Sequence, residues 1–129
     1  MNPFVLHATA SKHADAIALD ANSQRWTWAE LDQRTAQLAE CWRQEGLQVG
    51  DRVVLYGRLS ASKVLLFWSL VRAGCIVAPL STRFTEVERA ELLHPLKPSA
   101  IVAEEGRWVG SSPAPLIPWE TALQSSLSL

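Results

Sequence analysis

The segment from residue 52 to residue 84 constrains the fold more than any other part of this sequence. It reads RVVLYGRLSASKVLLFWSLVRAGCIVAPLSTRF. Two apolar runs, at residues 53–56 and 76–80, flank a stretch that places apolar side chains on most faces of a helix ending at Ala73-Gly74. Two buried strands joined by a buried helix form a β-α-β unit, which predicts a parallel sheet covered by helices. Such a unit is typical of mononucleotide-handling enzymes rather than of small binding modules.

Helix and strand signals elsewhere in the chain predict elements of the same fold class. These are a hairpin at residues 16–20 and 25–27 with its turn at Asn22-Ser23, helices opened by the capping boxes Thr27…Glu30 and Thr85…Glu88, and a strand at residues 99–103. Gly46 is expected to end the first of these helices and Pro95 the second. The fold class is therefore α/β, with a mostly parallel sheet of three to five strands flanked by helices and a short N-terminal hairpin.

A change in composition divides the chain near residue 110. Residues 110–118 read GSSPAPLIP, which contains three prolines and is typical of a loop. The sequence thus predicts an α/β unit at residues 1–110, followed by a Pro/Ser-rich loop and a short C-terminal segment at residues 111–129. Residues 119–123 are expected to form one helical turn.

Charge and composition exclude several classes of function. The 129 residues carry 12 basic and 13 acidic side chains without a basic block, which argues against nucleic acid as a partner. There is no apolar run long enough to span a membrane and no signal-peptide pattern. Cys41 and Cys75 lie in apolar surroundings and are predicted to be reduced thiols, so we expect a cytoplasmic protein.

Motifs for several common chemistries are missing from the sequence. It contains neither G-x-x-x-x-G-K-[ST] nor G-x-G-x-x-G, and its serines form no G-x-S-x-G elbow. His7, His13 and His94 lack the spacing of metal ligands. We therefore predict no catalytic residue and no metal ligand within this chain.

Five short segments together resemble the N-terminal part of the acyl- and aryl-CoA ligases of the adenylate-forming superfamily. In order they are TWAEL from Thr27, GLQVGDRV from Gly46, LVRAGCIVAPL from Leu70, STRFT from Ser81 and PSAIV from Pro98. Each is weak alone, but their order and spacing fit over roughly residues 10–105. STRFT most resembles the o-succinylbenzoate–CoA ligase branch of menaquinone synthesis, although Ser81 stands where many members carry Asn.

The resemblance implies a two-step reaction. ATP and a small carboxylic acid would give an acyl-adenylate and pyrophosphate, and CoA would then displace AMP to form a thioester. ATP, CoA and Mg²⁺ are expected as cofactors of the whole enzyme. In the family, the phosphate loop, the Mg²⁺ carboxylate and the catalytic lysine lie downstream of the matched segment. The chain is therefore interpreted as a partial N-terminal subdomain that alone binds no cofactor tightly and is inactive.

Three residues are candidates for a binding role. The resemblance places Arg83 near the entrance used by CoA, where a guanidinium could pair with a phosphate; the alternative is a solvated charge or an ion pair with Glu86. Arg58 and Ser60 follow a strand and precede a helix, where α/β folds bind ligands, and are weaker candidates for lining the acyl or CoA side.

Two other functions remain open from the sequence. One is an adenylation domain that loads a carrier protein, which has the same fold as an acyl-CoA ligase. The other is a non-catalytic self-association or partner-binding module, for which the six tryptophans and an uncovered sheet edge would supply an interface. An apolar face left exposed in a partial subdomain also predicts a homodimer.

Overall fold

The computed structural model describes residues 4–21 and 23–127. The elements, in chain order, are α1 (Phe4–Lys12), β1 (Ile17–Ala21), β2 (Gln24–Thr27), α2 (Trp28–Gln44), β3 (Arg52–Tyr56), α3 (Ala61–Arg72), β4 (Ile76–Leu80), α4 (Glu86–Leu96), β5 (Ala100–Ala103), β6 (Leu116–Pro118) and α5 (Trp119–Leu127). The predicted hairpin is confirmed as the antiparallel pair β1–β2. Asn22 of its predicted turn lies outside the described residues, and Ser23 has a positive φ of 64°.

A four-stranded sheet with the order β4-β3-β5-β6 forms the centre of the fold. Its three pairings are all parallel, and in β3 the residue Val54 lies between Ala78 of β4 and Ile101 of β5. The predicted α/β class, with a parallel sheet, flanking helices and a short hairpin, is thus confirmed. The sheet brings the carboxyl ends of β3, β4 and β5 to one edge.

Alternate residues of the central strand β3 support two separate cores, one on each face of the sheet. Val53 and Leu55 face the larger core, which contains fully buried Trp42 of α2 and residues of α3 and α5. Val54 and Tyr56 face the smaller core together with Leu93 of α4 and residues of β4 and β5. Because β3 is buried on both faces, its sequence is a continuous apolar run rather than an alternating one.

The ends of α2 and α4 follow the capping rules with one exception. Both capping boxes are present, Thr27 with Glu30 and Thr85 with Glu88, and Gly46 follows α2 with φ of 98°. The prediction that Pro95 stops α4 is wrong by one residue, because α4 continues to Leu96 and Lys97 then turns left-handed. A proline in the last turn removes only one helical hydrogen bond, which the end of a helix tolerates.

The C-terminal part contains more regular structure than its composition predicted. Residues 116–118 of the expected loop form β6, which pairs with β5, and α5 extends well past the single turn expected. Pro118 is compatible with a strand because β6 lies at the edge of the sheet. Trp119 and Ala122 of α5 are buried in the larger core. The boundary at residue 110 stays a prediction.

The structure also bears on the two cysteines, on membrane-spanning helices and on the predicted homodimer. Cys41 and Cys75 are free and buried, as predicted. Within the described ranges, no helix is both long and apolar enough to cross a membrane. The homodimer stays a prediction; Ile76 on the edge strand β4 and Val87 and Leu92 on α4 are exposed apolar side chains.

Candidate functional site

An open cleft lies at the carboxyl ends of β3 and β4. Its volume is about 380 Å³, and the residues that line it are Gly57, Arg58, Leu59, Lys63, Pro79, Leu80, Ser81, Thr82 and Arg83. They come from the turn after β3, the first turn of α3 and the loop after β4. Parallel α/β sheets bind ligands at this edge, because the loops there vary freely while the strands hold their ends in place.

Arg83 lies on the loop after β4, as the sequence predicted, and its side chain is exposed. Its backbone N–H donates to Oγ of Ser81 over 3.1 Å, which fixes the start of the loop. Among the described residues the guanidinium has no hydrogen-bond or ion-pair partner, so the predicted alternative of an ion pair with Glu86 is not observed there. The charge of Arg83 is available to a ligand.

Arg58 also lines the cleft, but its charge is shared with a carboxylate. Its Nη2 lies 2.7 Å from Oε2 of Glu104, and its backbone N–H donates to Oε1 over 3.0 Å. The hydrogen bond to Glu104 raises the pKa of Arg58 and lowers the pKa of Glu104. Arg58 is therefore held in a defined position at the end of β3, with its charge partly balanced by a carboxylate that also pairs with Arg107 over 3.5 Å.

Ser60 lies beside the cleft rather than in its lining. Its Oγ accepts the backbone N–H of Lys63 over 3.2 Å and so caps α3. A hydroxyl used as a helix cap keeps the first turn of α3 in place. The predicted binding role of Ser60 stays a prediction.

Lys63 is a lining residue that the sequence patterns did not single out. Its ammonium group donates to the carbonyl oxygen of Gly57 over 2.9 Å and to that of Leu80 over 3.4 Å. Burial lowers the pKa of Lys63, and the negative charge of Glu104 partly opposes this effect. One signal was present in the sequence, since Lys63 is the single charged residue in the first half of α3.

The charges of the cleft suit an anion. Three cationic side chains line it, those of Arg58, Lys63 and Arg83, and of these Arg58 is paired with the carboxylate of Glu104. Ser81 and Thr82 add hydroxyl groups that can donate hydrogen bonds. Guanidinium and ammonium groups with hydroxyls are the usual donors to phosphate oxygens.

The lining of the cleft does not provide the oxygen ligands that divalent cations prefer. The described residues contain no group of three or more His, Cys, Asp or Glu side chains placed to hold a metal ion. The cleft itself is lined by cations, which would repel Mg²⁺.

Comparison with a protein-family model gives a match over nearly the whole chain. The model described as "AMP-binding enzyme" matches residues 6–125. The matched region contains the hairpin, all four strands of the parallel sheet and the cleft.

Curated relatives resemble most of the chain but are far longer. A linear gramicidin synthase polypeptide of Brevibacillus parabrevis is 29% identical over 97 residues, which are 75% of this chain and 1% of that protein. Acyl-CoA ligase SID4 of Ajellomyces capsulatus is 27% identical over 74 residues, which are 57% of this chain and 13% of that protein. The chain thus spans a small fraction of the relatives it matches.

A solved structure has the same fold. The N-terminal subdomain of Klebsiella oxytoca NpsA superimposes with a TM-score of 0.91 at 18% sequence identity, covering 96% of this chain and 32% of that one. At this identity the likeness establishes the fold alone.

Proposed function

The chain belongs to the AMP-binding enzyme family, and from that premise we propose that it is the first part of an enzyme that activates a carboxylic acid with ATP as an acyl-adenylate. The observation that carries the proposal is the family match over residues 6–125 together with a parallel sheet of matching topology. A carboxylate is a poor electrophile, whereas its mixed anhydride with AMP has a good leaving group. Adenylation therefore prepares the acid for attack by a thiol.

This chain supplies a scaffold and a cleft rather than the reacting groups. The sequence has no Ser/Thr/Gly-rich loop ending in Lys, and the described residues contain no cluster of metal-binding side chains. Adenylation needs groups that balance the charge of the triphosphate. In the proposed enzyme these groups come from protein beyond the segment 1–129, and we expect that segment alone to be inactive.

A carrier protein is the acceptor that the relatives favour. One NpsA structure is described as an artificially fused adenylation–PCP di-domain, in which PCP denotes a peptidyl carrier protein. The gramicidin relative is described as a subunit of a peptide synthase. SID4 is described as an acyl-CoA ligase and supports CoA as the second candidate. The narrower hypothesis of an o-succinylbenzoate–CoA ligase has only the STRFT segment in its favour. We therefore propose the carrier-loading function ahead of it.

Both candidate acceptors present their thiol on a phosphopantetheine arm, which gives the cleft a role in either case. We infer that Arg83 binds a phosphate group of the acceptor, because its guanidinium is exposed at the cleft and has no partner among the described residues. Arg58 would contribute less, since Glu104 balances its charge. The cleft would then bind the acceptor and take no part in adenylation.

The test uses the complete reading frame that contains residues 1–129. Its product is assayed for ATP–pyrophosphate exchange with a panel of amino, aryl and fatty acids, with a no-acid reaction as the control. Thioester formation is then measured with CoA and with a phosphopantetheinylated carrier protein encoded nearby.

Acid-dependent exchange followed by transfer to the carrier protein is the expected result. Transfer to CoA alone would replace the carrier with the second candidate acceptor. A folded product that shows no exchange with any acid, or a reading frame that ends at Leu129 with no second polypeptide able to restore exchange, would overturn the enzyme proposal. The remaining function would then be a non-catalytic association module.

A further inference from the structure

We propose that Lys63 is the residue that shapes the cleft and binds the phosphate group within it. This inference deepens the proposed role of the cleft as a phosphate site and rests on it. Its basis is the position of one ammonium group between the carboxyl ends of two adjacent strands, in a cleft that also contains two arginines.

The ammonium group of Lys63 connects the two halves of the cleft. The Gly57 carbonyl belongs to the turn after β3, and the Leu80 carbonyl is the last of β4. Arg58 follows Gly57 directly, and Arg83 lies three residues after Leu80. By bonding to both carbonyls, Lys63 sets the separation between the loops that carry the two arginines.

The same group has donor capacity left for a ligand. An ammonium group has three N–H donors, and the two carbonyl contacts use two of them. Lys63 lines the cleft and is neither fully buried nor fully exposed, so a phosphate oxygen can reach the third donor. A bound phosphate would also replace the solvation that burial has removed, which favours the charged form of the lysine.

The alternative is a lysine that only stabilises the fold. In that case, removing its charge would change the stability of the chain but leave anion binding unchanged. The geometry favours the wider role, because Lys63 bonds only to carbonyl oxygens, and the one carboxylate whose charge acts on it, Glu104, is paired with Arg58.

The experiment measures anion binding by the full chain. Isothermal titration at low ionic strength uses three probes: inorganic pyrophosphate, 4′-phosphopantetheine and adenosine 3′,5′-bisphosphate. The last two distinguish the phosphate of the arm from the 3′-phosphate of CoA. The variants are Lys63→Met, Lys63→Arg and, as a matched control, Lys12→Met at an exposed position in α1.

We expect Lys63→Met to bind the best probe about tenfold more weakly or worse, since it loses a charge-assisted hydrogen bond and the spacing of the arginines. Lys63→Arg should keep most of the affinity and Lys12→Met all of it. Wild-type affinity in a folded Lys63→Met chain, or no binding of any probe by the wild type, would overturn the proposal.

A second measurement covers the case in which Lys63→Met fails to fold. In the wild-type chain, the ¹⁵N-labelled ammonium signal of Lys63 is followed during the titration. A shift that saturates with the probe is the expected result, and a signal that stays unchanged while the loop amides move would overturn the inference. Neither measurement depends on ATP–pyrophosphate exchange, so failure here is distinct from failure of the proposed enzyme activity.

Discussion

The indole Nε1 of Trp42 donates a hydrogen bond of 2.8 Å to Oγ of Ser69, where both side chains are completely buried between α2 and α3. Ser69 in turn donates to the carbonyl oxygen of Leu66 over 2.7 Å. A buried tryptophan N–H usually has a partner, because a buried donor without one loses its solvation uncompensated. This pair therefore allows a fully buried tryptophan of the larger core to lie between two helices.

Substitution of Ser69 by alanine is expected to destabilise the chain by about 1–3 kcal/mol, since it leaves the Trp42 N–H buried without a partner. The free energy of unfolding is measured by urea denaturation followed by far-UV circular dichroism. Ser11→Ala is the matched control, because Ser11 is exposed on α1 and bonds only to the backbone of its own helix. Equal stability of Ser69→Ala and wild type would contradict the role assigned to this bond.

Gly57→Ala is expected to destabilise the chain by about 1–3 kcal/mol through overpacking. A Cβ at Gly57 would collide with the indole ring of Trp119 and lie 2.9 Å from Cβ of Glu104. The measurement is a double-mutant cycle with Trp119→Leu, whose smaller side chain makes room for the methyl group. The cost of Gly57→Ala should be smaller in the Trp119→Leu background, and an unchanged cost would show that crowding by Trp119 is not its cause.

The parallel sheet was predictable because its signals are local. The apolar runs of β3 and β4 and the capping boxes at Thr27 and Thr85 each depend on residues within a few positions of one another. β6 was missed for the opposite reason. Its residues include Pro118, and its strand exists only because β5 provides a partner across the sheet. A pairing that depends on a distant segment leaves little trace in local composition.

The site shows the same division between local and distant information. Arg83 and Arg58 could be selected because strand ends predict where a ligand binds in an α/β fold. The ion pair of Arg58 with Glu104 joins residues 46 positions apart, and the bond of Lys63 to Leu80 joins residues 17 positions apart. No periodicity connects these positions, so the balance of charge within the cleft required the folded structure.

The stability of the chain is expected to fall on acidification partly through Glu104. The hydrogen bond from Arg58 holds the pKa of Glu104 below its ordinary value of 4.5. A carboxyl whose pKa is lowered by folding contributes stability above its unfolded pKa, and this contribution is lost as the pH falls through the folded value. Urea denaturation of wild type and Glu104→Gln at several pH values between about 3 and 7 measures the effect.

The difference in unfolding free energy between wild type and Glu104→Gln should be largest near neutral pH and shrink below pH 4.5.

Asp32 is a second carboxyl whose pKa is lowered by folding. Burial raises its pKa, but the hydrogen bonds from His7 and Arg72 more than offset this effect. Wild type and Glu104→Gln each keep Asp32, so both should retain some acid sensitivity. A difference that does not vary with pH would exclude Glu104 as a contributor.

Removal of the first capping box tests how much the N-cap of α2 contributes to the stability of the chain. Thr27→Ala removes the hydroxyl that accepts the Glu30 N–H, and should lower the free energy of unfolding by about 0.5–2 kcal/mol. Thr27→Ser retains the accepting oxygen and should restore most of this stability. The free energies of unfolding of wild type and both variants are measured by chemical denaturation. An equal loss of stability in the alanine and serine variants would show that Thr27 acts through its methyl group instead.

Arg83→Ala in the complete enzyme should separate binding of the acceptor from activation of the acid. We expect the KM for the thiol acceptor to rise by about tenfold, because a charge-assisted contact to its phosphate is lost. ATP–pyrophosphate exchange should be unchanged, since the proposed role of Arg83 begins after the adenylate has formed. Arg25→Ala is the control, since Arg25 is an exposed arginine on the hairpin, paired with Asp20 and far from the cleft in sequence. A loss of exchange activity in Arg83→Ala equal to its loss of thioester formation would instead assign Arg83 to the adenylation step.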